Sequence, residues 1–311
     1  MGIRQPSVIA VVGPTGSGKT GRAIALAERL DTEVLSADSM QFYMGMEIGT
    51  AAPTPEQLER APHHFVSFLA PDDFMSASDY AALAREEVAR LNAEGRVAVV
   101  CGGSGLYLSA LIGGLFEGPG RDEAIRARLI AEAADFGAAP LMARLRSVDP
   151  TYAAALTSEN DLVRIVRALE VHELTGRPFS AWHAEHQASQ QPLDAVLVAP
   201  DWPREELYER INQRVEAMVA AGWVEEVRAL VDGGYADHID RLKALGFREI
   251  AAHLRGEQSL EEAIAQTQMH HRRYAKRQLS WFRNVVRVRW IPGDLDDAAW
   301  VAEALEAAER R

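Results

Sequence analysis

Apolar positions along the chain fall into two patterns. Short runs rich in β-branched residues occur at 7–12 (SVIAVV), 33–37 (EVLSA), 96–100, 195–199 and 285–291. Runs of this length and composition predict strands buried on both faces. Between them the apolar residues recur at helical spacing. Ile24, Ala27 and Leu30 predict a helix over 21–30, and Tyr80, Leu83, Ala84, Val88 and Leu91 predict one over 78–92. Strands alternating with helices through the first 110 residues imply a parallel, doubly wound α/β sheet. The strand signal then stops. Helices are predicted over 121–136, 140–145 and 162–174, then, after the strand at 195–199, over 204–221, 224–232, 260–282 and 298–308. The expected organisation is a core formed by 1–119 and 191–311, interrupted by a mostly helical insertion at 120–190.

Composition narrows the class. The chain has 311 residues, with 48% hydrophobic and 25% charged positions, ordinary values for a globular protein. The single cysteine, Cys101, can form neither an internal disulfide nor a cysteine-based zinc site. No run approaches the roughly 18 apolar residues of a membrane span, so a cytoplasmic protein is expected. The formal charge of −12 argues weakly against a nucleic-acid partner. Charge is unevenly spread, however. Seven basic residues and no acidic ones lie within 269–289: Arg272, Arg273, Lys276, Arg277, Arg283, Arg287 and Arg289, interleaved with Tyr274, Trp281 and Phe282. Of 33 basic and 45 acidic residues, 26 and 45 remain elsewhere, a balance of −19. Basic residues with interleaved aromatics suit RNA backbone contact and base stacking, although a charge run is also the ordinary pattern of a solvated helix face.

The segment after the first strand reads Gly13-Pro14-Thr15-Gly16-Ser17-Gly18-Lys19-Thr20. It satisfies G-x-x-x-x-G-K-[ST] in the required context, after a strand and opening a helix. Such a loop turns successive backbone N–H groups and a helix N-terminus toward a phosphate group. Lys19 supplies a point charge there, and the Thr20 hydroxyl can ligate Mg²⁺. The fold expected is therefore a P-loop NTPase-like, kinase-like one. Nucleotide-driven ATPases place an acid at the end of a neighbouring strand to hold Mg²⁺. Here the run at 96–100 leads into Cys101-Gly102-Gly103-Ser104. The acid at a strand end is Asp38, which could act as a general base, bind Mg²⁺ through water, or cap a helix.

Together these pieces resemble the tRNA dimethylallyltransferases, also called isopentenyltransferases. The matching blocks are GPTGSGKT (13–20), SADSMQFYMGMEIGTAAP (36–53), CGGSGLYL (101–108), NDLVRIVRALEVHELTGRPFS (160–180), GWVEEVRAL (222–230), KALGFRE (243–249) and AKRQLSWFR (275–283). They run in order over about 7–291. With one cysteine and little chain after the last strand, the sequence looks like the compact bacterial form without a zinc finger. The resemblance implies transfer of a dimethylallyl group from dimethylallyl diphosphate to N6 of the adenosine 3′ of the anticodon. The phosphate loop (Gly13, Thr15, Gly16, Ser17, Gly18, Lys19 and Thr20) would then grip a diphosphate leaving group, assisted by Arg228. Asp38 matches the family's general base. Ser104 stands where the family usually has a threonine near the bridging oxygen, which keeps the hydroxyl and loses the methyl that restricts its rotamer. The target base must be extruded to meet a buried electrophile. Asp38, Ser39, Met40 and Gln41 would face it, with the Gln41 amide suited to an adenine edge. Positions implied against the anticodon stem-loop are Arg126, Val163, Arg164, Ile165, Val166, Arg167, Lys243, Gly246, Phe247, Arg248, Arg272, Lys276, Arg277, Gln278, Trp281 and Arg283, so the insertion would also contact tRNA. A monomer suffices for this action.

Two other readings of the residues compete. A small-molecule kinase using ATP, with Asp38 activating a hydroxyl, would leave the basic–aromatic segment without a role. An RNA-binding module with a vestigial phosphate loop would bind RNA without Asp38. The histidines at 63–64, 183 and 186, and 270–271 lack the spacing of a metal site.

Overall fold

The computed structural model describes residues 5–114, 118–156, 158–189, 191–242, 244–285 and 287–310. The chain divides into two compact units: Met1–Ile112 with Leu193–Arg311, and Gly113–Pro192.

The larger unit is built on six strands: β1 (Val8–Val12), β2 (Val34–Ser36), β3 (His63–His64), β4 (Ala98–Gly102), β5 (Ala195–Asp201) and β6 (Val288–Pro292). They form one sheet in the order β3-β2-β4-β1-β5-β6, with every pairing parallel. The unbroken apolar character of β1 follows from burial on both faces. Val8, Ala10 and Val12 join one core layer, while Ile9 and Val11 join the other. Helices Lys19–Leu30 and Asp297–Glu309 cover the second layer with Ile24, Leu26, Trp300 and Ala304. The first layer is covered by Ala77–Ala93, Gly105–Gly113, Arg204–Ala220, Trp223–Asp232 and Phe247–Leu254, together with Phe282 of the long helix Leu260–Val285. On Ala77–Ala93 the buried stripe is Tyr80, Ala84, Val88 and Leu91. Leu83, expected on it, lies at its edge and is exposed.

β3 was not expected from the pattern, because two histidines carry no strand signal. Its register comes from pairing Val34 with His63. His64 Nε2 lies 2.6 Å from the Glu33 carboxylate, and His63 Nδ1 lies 2.7 Å from the Ala61 carbonyl. The histidine pair thus serves the sheet edge.

The smaller unit contains the helices Glu123–Phe136, Ala139–Val148, Pro150–Ala155, Leu162–Thr175 and Phe179–Ser189, with no strand among the described residues. Leu129, Leu141, Leu145, Ile165, Leu169 and Phe179 form its own core. Within it, Glu170 is fully buried and accepts from Arg126 at 2.9 and 3.0 Å, from Arg167 at 2.7 Å, and from the Asp122 N–H at 2.8 Å. A buried carboxylate persists only when paired in this way. No described helix is long and apolar enough to cross a membrane.

Candidate active site

The site lies at the carboxyl ends of β1 and β4, where an open parallel sheet leaves a crevice as successive strands are added on opposite sides. The loop after β1 needs three residues at positive φ: Gly13 at 132°, Gly16 at 81° and Gly18 at 85°. At Gly16 a Cβ would also approach Ile211 Cγ1 to 2.6 Å, so only glycine fits. The Ser17 hydroxyl and Lys19 Nζ both donate to the Pro14 carbonyl, at 2.9 and 2.7 Å, and hold the loop shape.

Two distant helices complete this loop. Gln278, buried on Leu260–Val285, accepts from the Thr15 N–H at 2.8 Å and donates to the Gly103 carbonyl at 3.0 Å. It therefore ties the loop after β1 to the loop after β4. From Arg204–Ala220, Arg214 donates to the Thr15 hydroxyl and to His271 Nδ1, the latter at 3.3 Å. Its buried Nε–H finds no acceptor among the described residues. Arg210, stacked 4.2 Å over Trp202, donates to the Gly16 carbonyl at 3.1 Å.

Asp38 follows β2. Its Oδ1 accepts from the Met40 N–H at 3.1 Å, which makes a local turn; no helix starts there, so the helix-cap alternative falls. Burial pushes the Asp38 carboxyl above its usual range, opposed by that N–H and by the charges of Lys19 and Arg214. Burial likewise brings Lys19 down to about 8 and Arg214 to about 10, and pushes the Cys101 thiol up to about 11. Asp38, Lys19, Thr20, Cys101, Arg210, Arg214 and Gln278 line a single cavity of about 1230 Å³. Its remaining wall mixes apolar residues such as Ile48, Ala51, Leu58, Val66 and Met218 with polar ones such as Glu47, Gln57 and His63. The volume exceeds the roughly 300–1,000 Å³ of an ordinary small-molecule pocket.

Ser39 and Ser104 lie beside Asp38 but outside that cavity lining. The Ser39 N–H and hydroxyl meet the Ser104 hydroxyl at 3.3 and 3.4 Å. The Tyr274 phenol is pushed up to about 12, mainly by burial and by the Asp38 charge, with Ser104, Arg277 and Gln278 opposing. Ser104 thus keeps its hydroxyl among polar groups. The Gln41 amide is engaged in shaping the site. Its Oε1 accepts from the Ser36 hydroxyl at 3.0 Å, and its Nε2 donates to the Ala51 carbonyl at 3.0 Å.

Several expected site residues are elsewhere. Arg228 is exposed on Trp223–Asp232, one helical step from buried Val227, and does not line the cavity, whereas Arg214 and Arg210 do. Ile165, Val166 and Phe247 are buried in core clusters, so their side chains pack the interior. At Gly246 a Cβ would meet the Trp223 ring at 2.1 Å, which makes it a packing position. Gln278 is buried in the loop tie described above, and Trp281 packs on Gly105 and Phe282. Arg126 and Arg167 are bound to Glu170. Arg272 donates to the Asn212 side chain. Val163, Lys276 and Arg277 are exposed, as are Arg164 and Arg248, which pair with Asp161 and Asp240 at 3.5 and 3.0 Å, and Arg283, 3.5 Å from Asp201. Met40 is partly buried against the main core. Lys243 lies outside the described residues. Sequence reasoning missed Arg214 and Arg210; the i, i+4 spacing of these two on one helix was the available signal.

Comparison with known proteins agrees with this architecture. A family model described as IPP transferase matches residues 41–285. The tRNA dimethylallyltransferase of Geobacter sulfurreducens is 44% identical over 297 residues, covering 95% of each chain. That of Anaeromyxobacter sp. is 48% identical over 299 residues, covering 96% of this chain and 97% of its own. Among solved structures, the tRNA isopentenylpyrophosphate transferase of Bacillus halodurans superposes with a TM-score of 0.70 at 37% identity, covering 97% of this chain and 96% of that one. With its phosphate loop, its acid after β2 and this similarity along nearly the whole chain, the protein belongs to the IPP transferase family.

Proposed function

We propose that this chain is a tRNA dimethylallyltransferase that moves a dimethylallyl group from dimethylallyl diphosphate to N6 of the adenosine 3′ of the anticodon, releasing diphosphate. The observation that carries the reading is the placement of Asp38, a carboxyl pushed upward by burial, in one cavity with Lys19, Thr20 and Arg214. A phosphate loop facing a base suits a reaction in which the phosphorylated group departs and a nucleophile loses a proton.

In this reading the diphosphate lies against the backbone of 13–20, with Lys19 and Arg214 as its cations. The C–O bond to the departing diphosphate breaks while the N6–C bond forms, and the N6 proton passes to Asp38. A raised carboxyl pKa favours that acceptance near neutral pH. The fixed N–H groups and cations stabilise charge building on the leaving group. The base is presented from the side of Ser39 and Ser104, where hydroxyls offer hydrogen bonds. Exposed Arg273, Lys276 and Arg277 on Leu260–Val285 offer charge to RNA phosphates, and the smaller unit offers further contact. Asp38, Lys19, Thr20 and Arg214 line one cavity of a single chain, and one-to-one action on tRNA needs no more than a monomer.

The donor set also fits Mg²⁺. Among the described residues no three His, Cys, Asp or Glu side chains cluster to hold a metal. Thr20 and, through water, Asp38 are hard oxygen donors lining the phosphate cavity, and Mg²⁺ commonly takes its other ligands from substrate phosphates and water. When bound it would neutralise charge on the diphosphate.

The test is transfer of label from radiolabelled dimethylallyl diphosphate to unmodified tRNA with Mg²⁺ present. Asp38→Ala should abolish transfer while tRNA and diphosphate still bind. Near-normal turnover in that variant would remove Asp38 from the base role, and absence of transfer by the unaltered protein would overturn the reading.

A further inference from the structure

One wall of the cavity is a short turn held in an unfavourable conformation. Residues Glu47–Thr50 form a single helical turn that ends at Ala51, whose φ of 51° lies in the left-handed region. A non-glycine residue there is strained and persists only when its surroundings hold it. Ile48, Thr50 and Ala51 all line the cavity.

The turn is closed locally, by the Ala51 and Ala52 N–H groups donating to the Ile48 and Glu47 carbonyls at 3.0 and 2.9 Å, and it is tied to the rest of the fold by two side chains. Glu226 Oε2 accepts from the Ile48 N–H at 2.7 Å, and Oε1 accepts from the Gly49 N–H at 2.9 Å. At the other end Gln41 holds the Ala51 carbonyl. Between them the backbone presses on an aromatic pair. A Cβ at Gly49 would lie 2.1 Å from Trp223 Nε1 and 2.5 Å from the Phe247 ring. That contact is steric rather than polar, since Trp223 Nε1 is buried with no hydrogen-bond partner among the described residues. Glu226 therefore provides the polar attachment of the turn to Trp223–Asp232. A carboxylate is the side chain suited to it, because each oxygen meets one N–H. An amide would turn its NH₂ toward one of the two donors.

We propose that Glu226 is a positioning residue for the donor cavity: by holding two N–H groups of the turn at 47–50 it anchors this strained turn to Trp223–Asp232 and fixes the wall against which the donor seats. Glu226 does not line the cavity, so it acts through the turn. The inference rests on the proposed reading of the cavity as the dimethylallyl diphosphate site.

The experiment compares Glu226→Gln, Glu226→Ala and Glu226→Ala with Ala51→Gly, using dimethylallyl diphosphate and an anticodon stem-loop RNA. Losing two hydrogen bonds that seat the wall should raise the KM for the donor about tenfold in Glu226→Ala. The KM for RNA and kcat should stay within about threefold, a split that follows from uniform loss of donor binding. Glu226→Gln should fall between. Glycine takes positive φ freely, so Ala51→Gly in the Glu226→Ala background should recover much of the donor KM. An unchanged donor KM, or a parallel fall of every parameter with loss of thermal stability that Ala51→Gly does not rescue, would overturn the proposal. No transfer by the unaltered protein, with inorganic diphosphate still bound, would instead overturn the donor-site reading beneath it.

Discussion

Lys19 should make donor binding depend on pH in the range where a lysine is ordinarily silent. Burial lowers it from 10.5 to about 8, and the nearby Arg214 charge adds to this, while Cys101 and Asp38 oppose it. In the ligand-free protein Lys19 should be charged in about nine-tenths of molecules at pH 7 and about one-tenth at pH 9. A bound diphosphate restores the charge, because an adjacent anion favours the protonated amine. Affinity for dimethylallyl diphosphate should therefore fall about tenfold from pH 7 to 9, with uptake of about half a proton per site at pH 8. The terminal phosphate ionises near pH 6, and Arg214 and Cys101, at about 10 and about 11, stay out of this window. Titration calorimetry in two buffers of different ionisation enthalpy reads both quantities. Lys19→Arg should flatten the profile, since guanidinium stays charged. A pH-independent affinity with no proton uptake would refute the reasoning. The shift has a stability sign too. Between about 8 and about 10.4 the unfolded chain binds the proton that the folded one has lost, so the ligand-free protein should gain stability as pH rises through that interval.

Other expectations separate neighbouring assignments. Arg214→Ala should weaken diphosphate binding by roughly ten- to a hundredfold, the worth of a charged hydrogen bond, whereas Arg228→Ala should leave it unchanged; calorimetry with inorganic diphosphate reads both. Gln278→Leu strands the Thr15 N–H and the Gly103 carbonyl, and should cost about 2 kcal/mol or more in urea unfolding. Replacing exposed Arg273, Lys276 and Arg277 together by glutamine should reduce the salt slope of tRNA binding by up to about 2, with little change in diphosphate affinity; an unchanged slope would place RNA elsewhere.

Much of this was legible in the chain because it depends on local pattern. The phosphate loop is contiguous, and its glycines are demanded by positive φ at 13, 16 and 18. Asp38 was legible as the acid after a strand. β3 was not, since a two-residue edge strand is defined by its neighbour and not by its own composition. That Arg228 lies off the cavity wall is not legible either, because exposure on a helix depends on which face the tertiary structure covers. The basic window 269–289 held two different things: a charged outer face at Arg273, Lys276 and Arg277, and buried Gln278 and His271 that support the loop.

The sequence by itself determined the parallel α/β core, the helical insertion and a glycine-rich loop motif with a carboxylate nearby. Periodicity and short motifs encode burial and local backbone conformation, and those features need nothing more. Only the tertiary structure decided which cations face the phosphate loop, that Gln278 joins the loops after β1 and β4, and that Glu226 holds a turn 178 residues away. Those contacts arise when distant helices pack on one sheet layer, and their geometry has no periodicity or spacing along the chain through which it could be read.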